Sequence, residues 1–526
     1  MTAQSPPDVT LLLEGTYPFV SGGVSSWVHQ IIRGLPDLTF SLVFLGGAPS
    51  QYGAPKYKLP SNVVQLQAHY MMEAGQKLKP RACPGNAVRF ADSQKVHEYL
   101  RDPQTPIPSP LLDRFLDSIG QDAGIPAADF LLSKAAWESI CSDYTRFCPA
   151  TSFVDYFWTV RTMHAPIFKL AEIAQRLPKS RIYHAVSTGY AGLLGAFLHH
   201  RHHQPFIITE HGIYTKERKI DLAQADWISD AGEEQHVGLR GGVGYVRSLW
   251  IRFFQGIGRI AYSAADPIIS LYEGNRQRQV ADGASPDRTA IIPNGIDLDR
   301  FAPLRARRAT AIPAVLGLIG RVVPIKDIKT FIRTMRVVCN RIPDAEGWVV
   351  GPTAEDPVYA HECTDLVSSL GLTGQVKFLG FQKVEDILPK LGLMVLTSIS
   401  EAQPLVLLEG FASGLPAIAT DVGSCREIIS GSSPEDRALG SAGAVVSIAN
   451  PDATADAAVA LLQDESRWRG AQAAGIARVE RFYTQTDMLK SYHRTYRAAI
   501  ARGSPPVLPS SPKPERSEGA HGRHRV

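Results

Sequence analysis

A chain of 526 residues with 44% hydrophobic side chains is long enough to build two or more packed cores. Its 55 basic and 51 acidic residues are interleaved, and a formal net charge of +4 excludes the strong basic stripe of a nucleic-acid-binding protein. The six cysteines are scattered without a CxxC pair, which favours reduced thiols. Without a long apolar run or a basic amino-terminal segment, the chain is predicted to be cytoplasmic.

Short apolar runs bounded by turn residues alternate with helical patterns in the first part of the chain. Strands are predicted at VTLLLEG, FSLVFLG, NVVQL, IYHAV and FIITEHG. Residues 68–178 between the third and fourth runs are mainly helical in pattern and are predicted to be an insertion. This alternation predicts an N-terminal Rossmann-like domain over residues 1–300, with a parallel sheet covered on both faces.

The alternation restarts after PNGIDLDRFAP, which predicts a hinge near residues 293–303. Six further strands are predicted at VLGLIGR, GWVVGP, VKFLGF, LMVLTS, LPAIATDVGS and AVVSI. They define a second Rossmann-like domain over residues 301–485. A helix over 486–502 follows, and the Pro- and Ser-rich residues 503–526 are predicted to be a disordered tail.

Ligands of open parallel sheets bind beyond the carboxyl ends of the strands, so the residues after each strand are the candidate site. Gly22 and Gly23 follow the first strand and precede a helix, where free backbone N–H groups can hold a phosphate. An ordinary glycine turn with serine caps is the alternative. Arg321 and Lys326 follow a strand of the second half and are candidates to neutralise a diphosphate, against an alternative of solvated surface charge.

Glu401 and Glu409 lie eight residues apart in SISEAQPLVLLEGFASG. Pro404 suits the first turn of a helix, which places Glu401 before that helix and Glu409 inside it, with the N–H groups of Leu405 and Val406 available to an anion. A carboxylate in so apolar a helix needs a reason, because its burial is costly. The alternative is an acidic cap together with a buried ion pair.

His211 follows the FIITEHG strand, with Glu210 and Lys216 nearby, and is a candidate to contact a sugar or a reacting group. A structural histidine is the alternative. Metal binding at Asp297 or in the run of histidines from 199 to 203 is not favoured, since these residues suit a linker and a helix end. No metal site and no cofactor are predicted.

Taken together, the two sheets, the glycine turn, the basic pair and the E-x7-E spacing resemble the retaining GT-B glycosyltransferases of family four. The runs EGTYPFVSGGVSSWVHQ, TEHGIYTKER and IGRVVPIKDIKTFIR resemble more closely the cytoplasmic glycosyltransferases of Pel exopolysaccharide systems. The resemblance covers about residues 8–500, apart from the helical insertion.

This resemblance implies transfer from a UDP-sugar to a growing polysaccharide, without metal, in contact with an inner-membrane synthase complex. It assigns Glu409 to the ribose hydroxyls, Glu401 to the sugar hydroxyls, and Arg321 and Lys326 to the diphosphate. Gly23 would donate its N–H to that diphosphate, and His211 would contact the donor sugar.

Two other functions fit the same motifs. One is a non-catalytic nucleotide-sugar-binding subunit of a synthase complex, and the other is a sucrose-synthase-like transferase on small acceptors. The sequence leaves open whether retention proceeds by double displacement or by front-face departure of the diphosphate.

Overall fold

The computed structural model describes residues 5–71, 83–101, 105, 107–119, 127–148, 152–223 and 245–503. These residues form two parallel sheets, of seven and six strands, with helices on their faces. The predicted pair of Rossmann-like domains is therefore confirmed as a fold class. Of the predicted tail, residues 504–526 lie outside the described residues.

The first sheet has the strand order β3-β2-β1-β4-β5-β6-β7, and all its paired strands are parallel. Its strands are β1 (Val9–Glu14), β2 (Phe40–Gly46), β3 (Val63–Tyr70), β4 (Ile182–Ala185), β5 (Phe206–Glu210), β6 (Ile268–Ser270) and β7 (Thr289–Ile291). The order reverses at β1, where β1 pairs with β2 on one side and β4 on the other. Such a reversal opens a crevice at the carboxyl ends of these strands.

The second sheet has the order β10-β9-β8-β11-β12-β13 and is also parallel. Its strands are β8 (Val315–Ile319), β9 (Glu346–Val350), β10 (Val376–Gly380), β11 (Leu393–Leu396), β12 (Ala417–Thr420) and β13 (Gly443–Val446). The reversal lies between β8 and β11. Side chains of β11 and β12 are buried throughout, as expected for strands covered by helices on both faces.

Helices of the first half cover both faces of its sheet or belong to the segment between β3 and β4. They are α1 (Gly23–Gly34), α2 (Ala87–Arg101), α3 (Ser109–Ser118), α4 (Ala127–Leu132), α5 (Lys134–Phe147), α6 (Phe153–Arg176), α7 (Tyr190–His202), α8 (Tyr214–Ala223), α9 (Tyr245–Ala264) and α10 (Glu273–Ala281). The described part of residues 68–178 is helical apart from the end of β3 and the connecting turns.

Helices of the second half alternate with its strands and end in two long segments. They are α11 (Leu298–Phe301), α12 (Ile328–Arg341), α13 (Pro357–Ser369), α14 (Val384–Ile387), α15 (Leu405–Ala412), α16 (Cys425–Ser430), α17 (Pro434–Arg437), α18 (Pro451–Leu462), α19 (Glu465–Phe482) and α20 (Gln485–Gly503). The amphipathic helix α12 illustrates the pattern: Ile328, Phe331, Ile332 and Met335 recur every three to four residues, and all are buried.

The last helix, α20, returns to the first half of the chain. Met488, Tyr492 and Tyr496 are buried in the same apolar cluster as Leu11 of β1 and Trp27 of α1. The chain therefore passes between the halves twice. The two crossing segments touch, because Ile296 and Thr484 form an isolated parallel bridge.

Candidate functional site

Each residue predicted for the site lies at or beyond the carboxyl end of a parallel strand. Gly22 and Gly23 follow β1, and His211 follows β5. In the second half Lys326 follows β8, and Glu401 follows β11. Parallel sheets place such positions along one edge, which is where ligands of this architecture bind.

The glycine turn begins α1 and faces open space. Gly22 is the N-cap residue and Gly23 the first helical residue, and no acidic side chain lies in the first turn. A methyl group built on either glycine would meet no atom within 4 Å. The first N–H groups of α1 are thus accessible to an anion as large as a phosphate.

His211 is buried against α1 and is held without a hydrogen bond at one ring nitrogen. Its side chain is 9% exposed, and its ring lies edge-on to that of Trp27, with centroids 4.6 Å apart. Among the described residues, nothing pairs with its buried Nε2 atom. Desolvation by burial lowers the pKa of His211 to about 4, so the imidazole is neutral at physiological pH.

Its neighbour Glu210 is engaged within the protein. The buried carboxylate accepts hydrogen bonds from Thr188 Oγ1 (2.9 Å), Tyr262 Oη (2.5 Å) and Gln279 Nε2 (3.0 Å). Burial still raises the pKa of Glu210, because desolvation outweighs the donors. Its role is therefore to fix the end of β5, from which His211 extends.

Lys326 and Glu401 are brought together although 75 residues separate them in sequence. Lys326 Nζ lies 2.5 Å from Glu401 Oε1, and Ser398 Oγ donates to the same oxygen at 2.7 Å. Both charged side chains are largely buried, at 18% and 13% exposure. Glu401 thus has one oxygen held by the protein and a second oxygen with which to meet a ligand.

The backbone around Lys326 is fixed by the neighbouring strand end. Thr397 Oγ1 donates to the carbonyl oxygens of Lys326 and Asp327, at 3.0 and 2.9 Å. Asp327 has a left-handed conformation, with φ of 45°, and its side chain accepts from Thr330 N to cap α12. The turn that carries Lys326 is therefore anchored both to the end of β11 and to α12.

Arg321 is not part of this pair. Its guanidinium forms an ion pair with Glu355, and both side chains are about half exposed. The two cations predicted together from the sequence thus have different environments: Lys326 lies in a recessed pair, and Arg321 at the surface.

Glu409 lies inside α15 and is partly buried. Within the described part of the chain, no residue donates a hydrogen bond to its carboxylate. Desolvation raises the pKa of Glu409 to about 7, although the positive charge of Arg300 acts in the opposite direction. Arg300 itself is bound to Glu385 at 2.7 Å. Hydrogen bonds donated by a ligand would stabilise the ionised form of a carboxylate in this environment.

The start of α15 lies between the two glutamates. Pro404 is its N-cap residue and forms no side-chain cap, and the first turn contains no acidic residue. The N–H groups of Leu405 and Val406 begin the helix, at a terminus that favours negative charge.

Two contacts join the halves of the chain beside this site. Asn294 N donates to Gln403 Oε1 at 2.6 Å. Glu427, on α16, lies at the start of α10: burial raises the pKa of its carboxyl, and the backbone N–H groups of Glu273 and Gly274 act in the opposite direction. A residue of the second half therefore lies beside the amino terminus of a helix of the first.

Sequence reasoning missed Glu14, the last residue of β1. Its carboxylate accepts from Tyr214 Oη at 2.8 Å and from Ala191 N at the start of α7, at 3.2 Å. A charged residue directly after three leucines of a strand is a detectable signal, but the partners lie 177 and 200 residues away, and only the fold identifies them.

Metal ligands do not cluster in the described residues: no group of three or more His, Cys, Asp or Glu side chains there could hold an ion. Asp297 instead caps α11, accepting from Arg300 N at 3.3 Å. His200 contacts Asp117 at 2.7 Å. Within the same described ranges, no helix is long and apolar enough to cross a membrane.

Two family models match the chain. Residues 7–287, more than half of the chain, match the family described as a domain of unknown function (DUF3492). Residues 313–464 match the glycosyl transferases group 1. The first match covers strands β1 to β6 with the helical segment between β3 and β4, and the second covers all six strands of the second sheet together with Lys326, Glu401 and Glu409.

Similar sequences include two groups of bacterial transferases. A lipopolysaccharide core biosynthesis mannosyltransferase of Rhizobium meliloti is 31% identical over 200 residues, which are 36% of this chain and 55% of that protein. A D-inositol 3-phosphate glycosyltransferase of Corynebacterium glutamicum is 29% identical over 214 residues, 36% of this chain and 48% of that protein. The chain spans about half the length of these relatives.

Similar solved structures extend over nearly the whole chain. HepE of Anabaena in complex with UDP and glucose has a TM-score of 0.56 at 14% identity, covering 94% of this chain and 100% of that one. Sucrose-phosphate synthase of Thermosynechococcus elongatus has a TM-score of 0.54 at 18% identity, covering 94% and 99%. At these identities the likeness shows the GT-B fold.

Proposed function

Because the chain belongs to the DUF3492 family and carries a region of the glycosyl transferases group 1, we propose that it is a glycosyltransferase with a UDP-sugar as donor. The acceptor is a growing exopolysaccharide of the Pel type, and the anomeric configuration is retained. The runs that resemble PelF support this finer assignment. HepE, which shares the fold, was solved with UDP and glucose.

The observation that carries the proposal is Glu409. Its carboxylate is recessed, receives no hydrogen bond from the described residues and has a pKa raised to about 7. Two vicinal hydroxyls can both donate to one carboxylate, and the ribose of a nucleotide presents such a pair. Binding a ribose would therefore supply the donors that the protein does not.

The neighbouring groups suit the rest of a nucleotide sugar. The ammonium of Lys326 and the N–H groups of Leu405 and Val406 would hold the diphosphate, with Gly22 and Gly23 facing it from α1. Glu401, fixed by Lys326 and Ser398, would accept from sugar hydroxyls with its second oxygen. Arg321 would join the diphosphate only by leaving Glu355.

Catalysis in this arrangement is mainly electrostatic. The diphosphate gains negative charge as its bond to the sugar breaks, and fixed cations and helix amino termini stabilise that charge without metal. His211 is neutral, so it can hydrogen-bond the donor sugar without repelling the oxocarbenium-like charge that develops there. In the proposed mechanism the departing diphosphate takes the proton of the acceptor hydroxyl as the sugar is transferred, which is front-face departure and not double displacement.

Calorimetry with UDP tests the nucleotide site directly. Glu409→Ala and Lys326→Ala should each weaken UDP binding at least tenfold, or about 1.4 kcal/mol. Lys329→Ala is the matched control, because Lys329 of α12 pairs with Glu362 of α13 and not with Glu401. Unchanged affinity in both test variants would contradict the assignment.

Turnover separates the enzyme from its alternatives. Transfer or hydrolysis of a UDP-sugar in EDTA is expected, whereas a strict need for a divalent ion would contradict the metal-free mechanism. Binding without turnover would indicate a nucleotide-sugar-binding subunit. Products confined to disaccharides would indicate a sucrose-synthase-like transferase. Co-purification with an inner-membrane synthase complex would test the proposed recruitment of a cytoplasmic enzyme.

A further inference from the structure

Trp27 lies one helical turn after Gly23 on α1, and it contacts His211. The indole is 2% exposed, and its ring plane makes an angle of 73° with the imidazole at a centroid distance of 4.6 Å. Gly23 and Trp27 belong to the same rigid helix. The helix that presents its amino terminus to the candidate site therefore also forms one wall around His211.

Besides His211, two aromatic side chains contact Trp27 and hold it in place. Tyr492 of α20 contacts the indole edge-on at 5.1 Å, and His184 of β4 does so at 6.0 Å. His184 is bound to Tyr496 Oη at 2.7 Å and to Thr209 Oγ1 at 2.9 Å. Thr209 Oγ1 also lies 3.2 Å from Tyr492 Oη. These buried groups cannot turn without breaking hydrogen bonds.

Ring packing, and not hydrogen bonding, holds the face of His211 that meets Trp27. In the described residues, neither His211 Nε2 nor Trp27 Nε1 has a partner, although both atoms are buried. Buried polar atoms in native proteins are nearly always paired, so two orphaned atoms in adjacent rings require an explanation. Buried polar atoms left without a partner are one of the features found at functional sites.

We propose that Trp27 is a positioning residue: its indole, held by Tyr492 and His184, sets the orientation of His211 towards the donor sugar and keeps water from it. This inference rests on the proposed function, in which His211 contacts that sugar. It goes further by coupling two subsites through one helix. An anion bound at Gly22 and Gly23 fixes the same helix that places His211.

Few charged or titratable groups face His211. His184 on β4 is itself neutral, because burial lowers its pKa to about 3. Tyr492 and Tyr496 on α20 are buried neutral phenols, and Glu210 on the same strand is turned towards Thr188 and Tyr262. Burial by Trp27 and its neighbours is therefore the cause of the low pKa of His211.

The experiment measures the pKa of His211 by NMR of ¹³Cε1-labelled histidine, beside kcat and UDP affinity. Trp27→Leu should let water reach the imidazole and raise its pKa by one unit or more towards the ordinary 6.5. The acid side of the pH profile of kcat should shift together with the pKa of His211. The value of kcat should fall at least tenfold, while the affinity for UDP changes less than twofold. Trp27→Phe keeps a ring edge and should restore the low pKa and at least a third of kcat.

Trp468→Leu is the matched control, because Trp468 is equally buried but lies in the second half of the chain. It should lose stability and leave the pKa of His211 unchanged. If Trp27→Leu leaves kcat and the pKa of His211 unchanged, the inference is wrong. If that variant does not fold, the same measurements on the wild type test the inference. A His211 pKa near 6.5, or no nuclear Overhauser effect between the rings of Trp27 and His211, overturns the inference. A pKa near 4 together with such an effect supports it.

The NMR titration needs no substrate. Absence of any UDP-sugar turnover in the wild type would overturn the proposed function, while the ring contact and the pKa would still test the position of His211.

Discussion

If Glu409 holds the ribose as proposed, nucleotide binding is linked to the release of a proton. With a pKa of about 7 in the free protein, its carboxyl is largely protonated at pH 6. Only the ionised carboxylate can accept hydrogen bonds from both ribose hydroxyls in full, so binding should release a proton. The affinity for UDP should therefore rise between pH 6 and pH 8. Calorimetry in buffers of different ionisation enthalpy measures the released proton. Glu409→Gln should retain only the part of the pH dependence that belongs to the phosphates of UDP.

The same residue should limit stability above neutral pH. Its pKa is raised on folding from 4.5 to about 7, so its favourable contribution is complete below pH 4.5 and is lost as the pH rises through 7. The shift corresponds to about 3 kcal/mol. The free energy of unfolding in urea should therefore be more favourable to Glu409→Gln, relative to the wild type, at pH 8 than at pH 5. An equal difference at both pH values would show that Glu409 is not desolvated.

Gly23 tests the helix terminus without disturbing the fold. Gly23→Val places its Cβ where the structure has no atom within 4 Å, so the melting temperature should stay within a few degrees while turnover is lost. Gly53→Val is the control, because Gly53 is equally unobstructed and lies in another loop. A Gly23→Val enzyme with normal kcat/KM would contradict the phosphate role of the turn.

At the residue scale, the sequence predicted candidate residues but not the contacts between them. Glu409 and Lys326 became candidates from spacing and strand ends, because charges in apolar surroundings are unusual. The pairing of Arg321 with Glu355 and of Glu14 with the start of α7 could not be predicted. Both depend on how segments far apart in the chain are placed by the fold.

Among the elements, α12 connects stability to ligand binding. Asp327 caps this helix from a left-handed conformation next to Lys326. Asp327→Ala should lose the cap at a cost of about 1 kcal/mol, and it should weaken UDP binding because the turn with Lys326 is released. Asp327→Asn can cap and tolerates the same conformation, so it should behave nearly as the wild type. Thermal melts and calorimetry on both variants check this.

The eleven strands predicted from apolar runs are all present, but β6 and β7 were missed. Each has only three residues, Ile268–Ser270 and Thr289–Ile291, and periodicity is not detectable in so short a run. They exist because β5 offers a free edge and α9 and α10 cover the sheet. The missing strands lie at the edge, so the fold class could be predicted correctly without them.

Across the whole molecule, Glu427 of α16 in the second half lies at the start of α10 in the first. Glu427→Ala should leave both sheets folded and increase the radius of gyration without nucleotide, because the amino terminus of α10 loses the carboxyl group beside it from the other half. Small-angle scattering measures this, and saturating UDP should reverse it. An unchanged radius in the absence of UDP would show that the contact does not control the arrangement.

The return of α20 to the first sheet also constrains when the first half of the chain can finish folding. Leu11, Trp27 and Ile207 of the first half pack in one cluster with Tyr492, Tyr496 and Ile500, which leave the ribosome last among the described residues. At roughly 5–20 residues per second, the 194 residues from Ile291 to Gln485 take about 10–40 s to synthesise. During that interval the apolar surface of the nascent first half lacks the side chains of α20 that cover it in the folded protein.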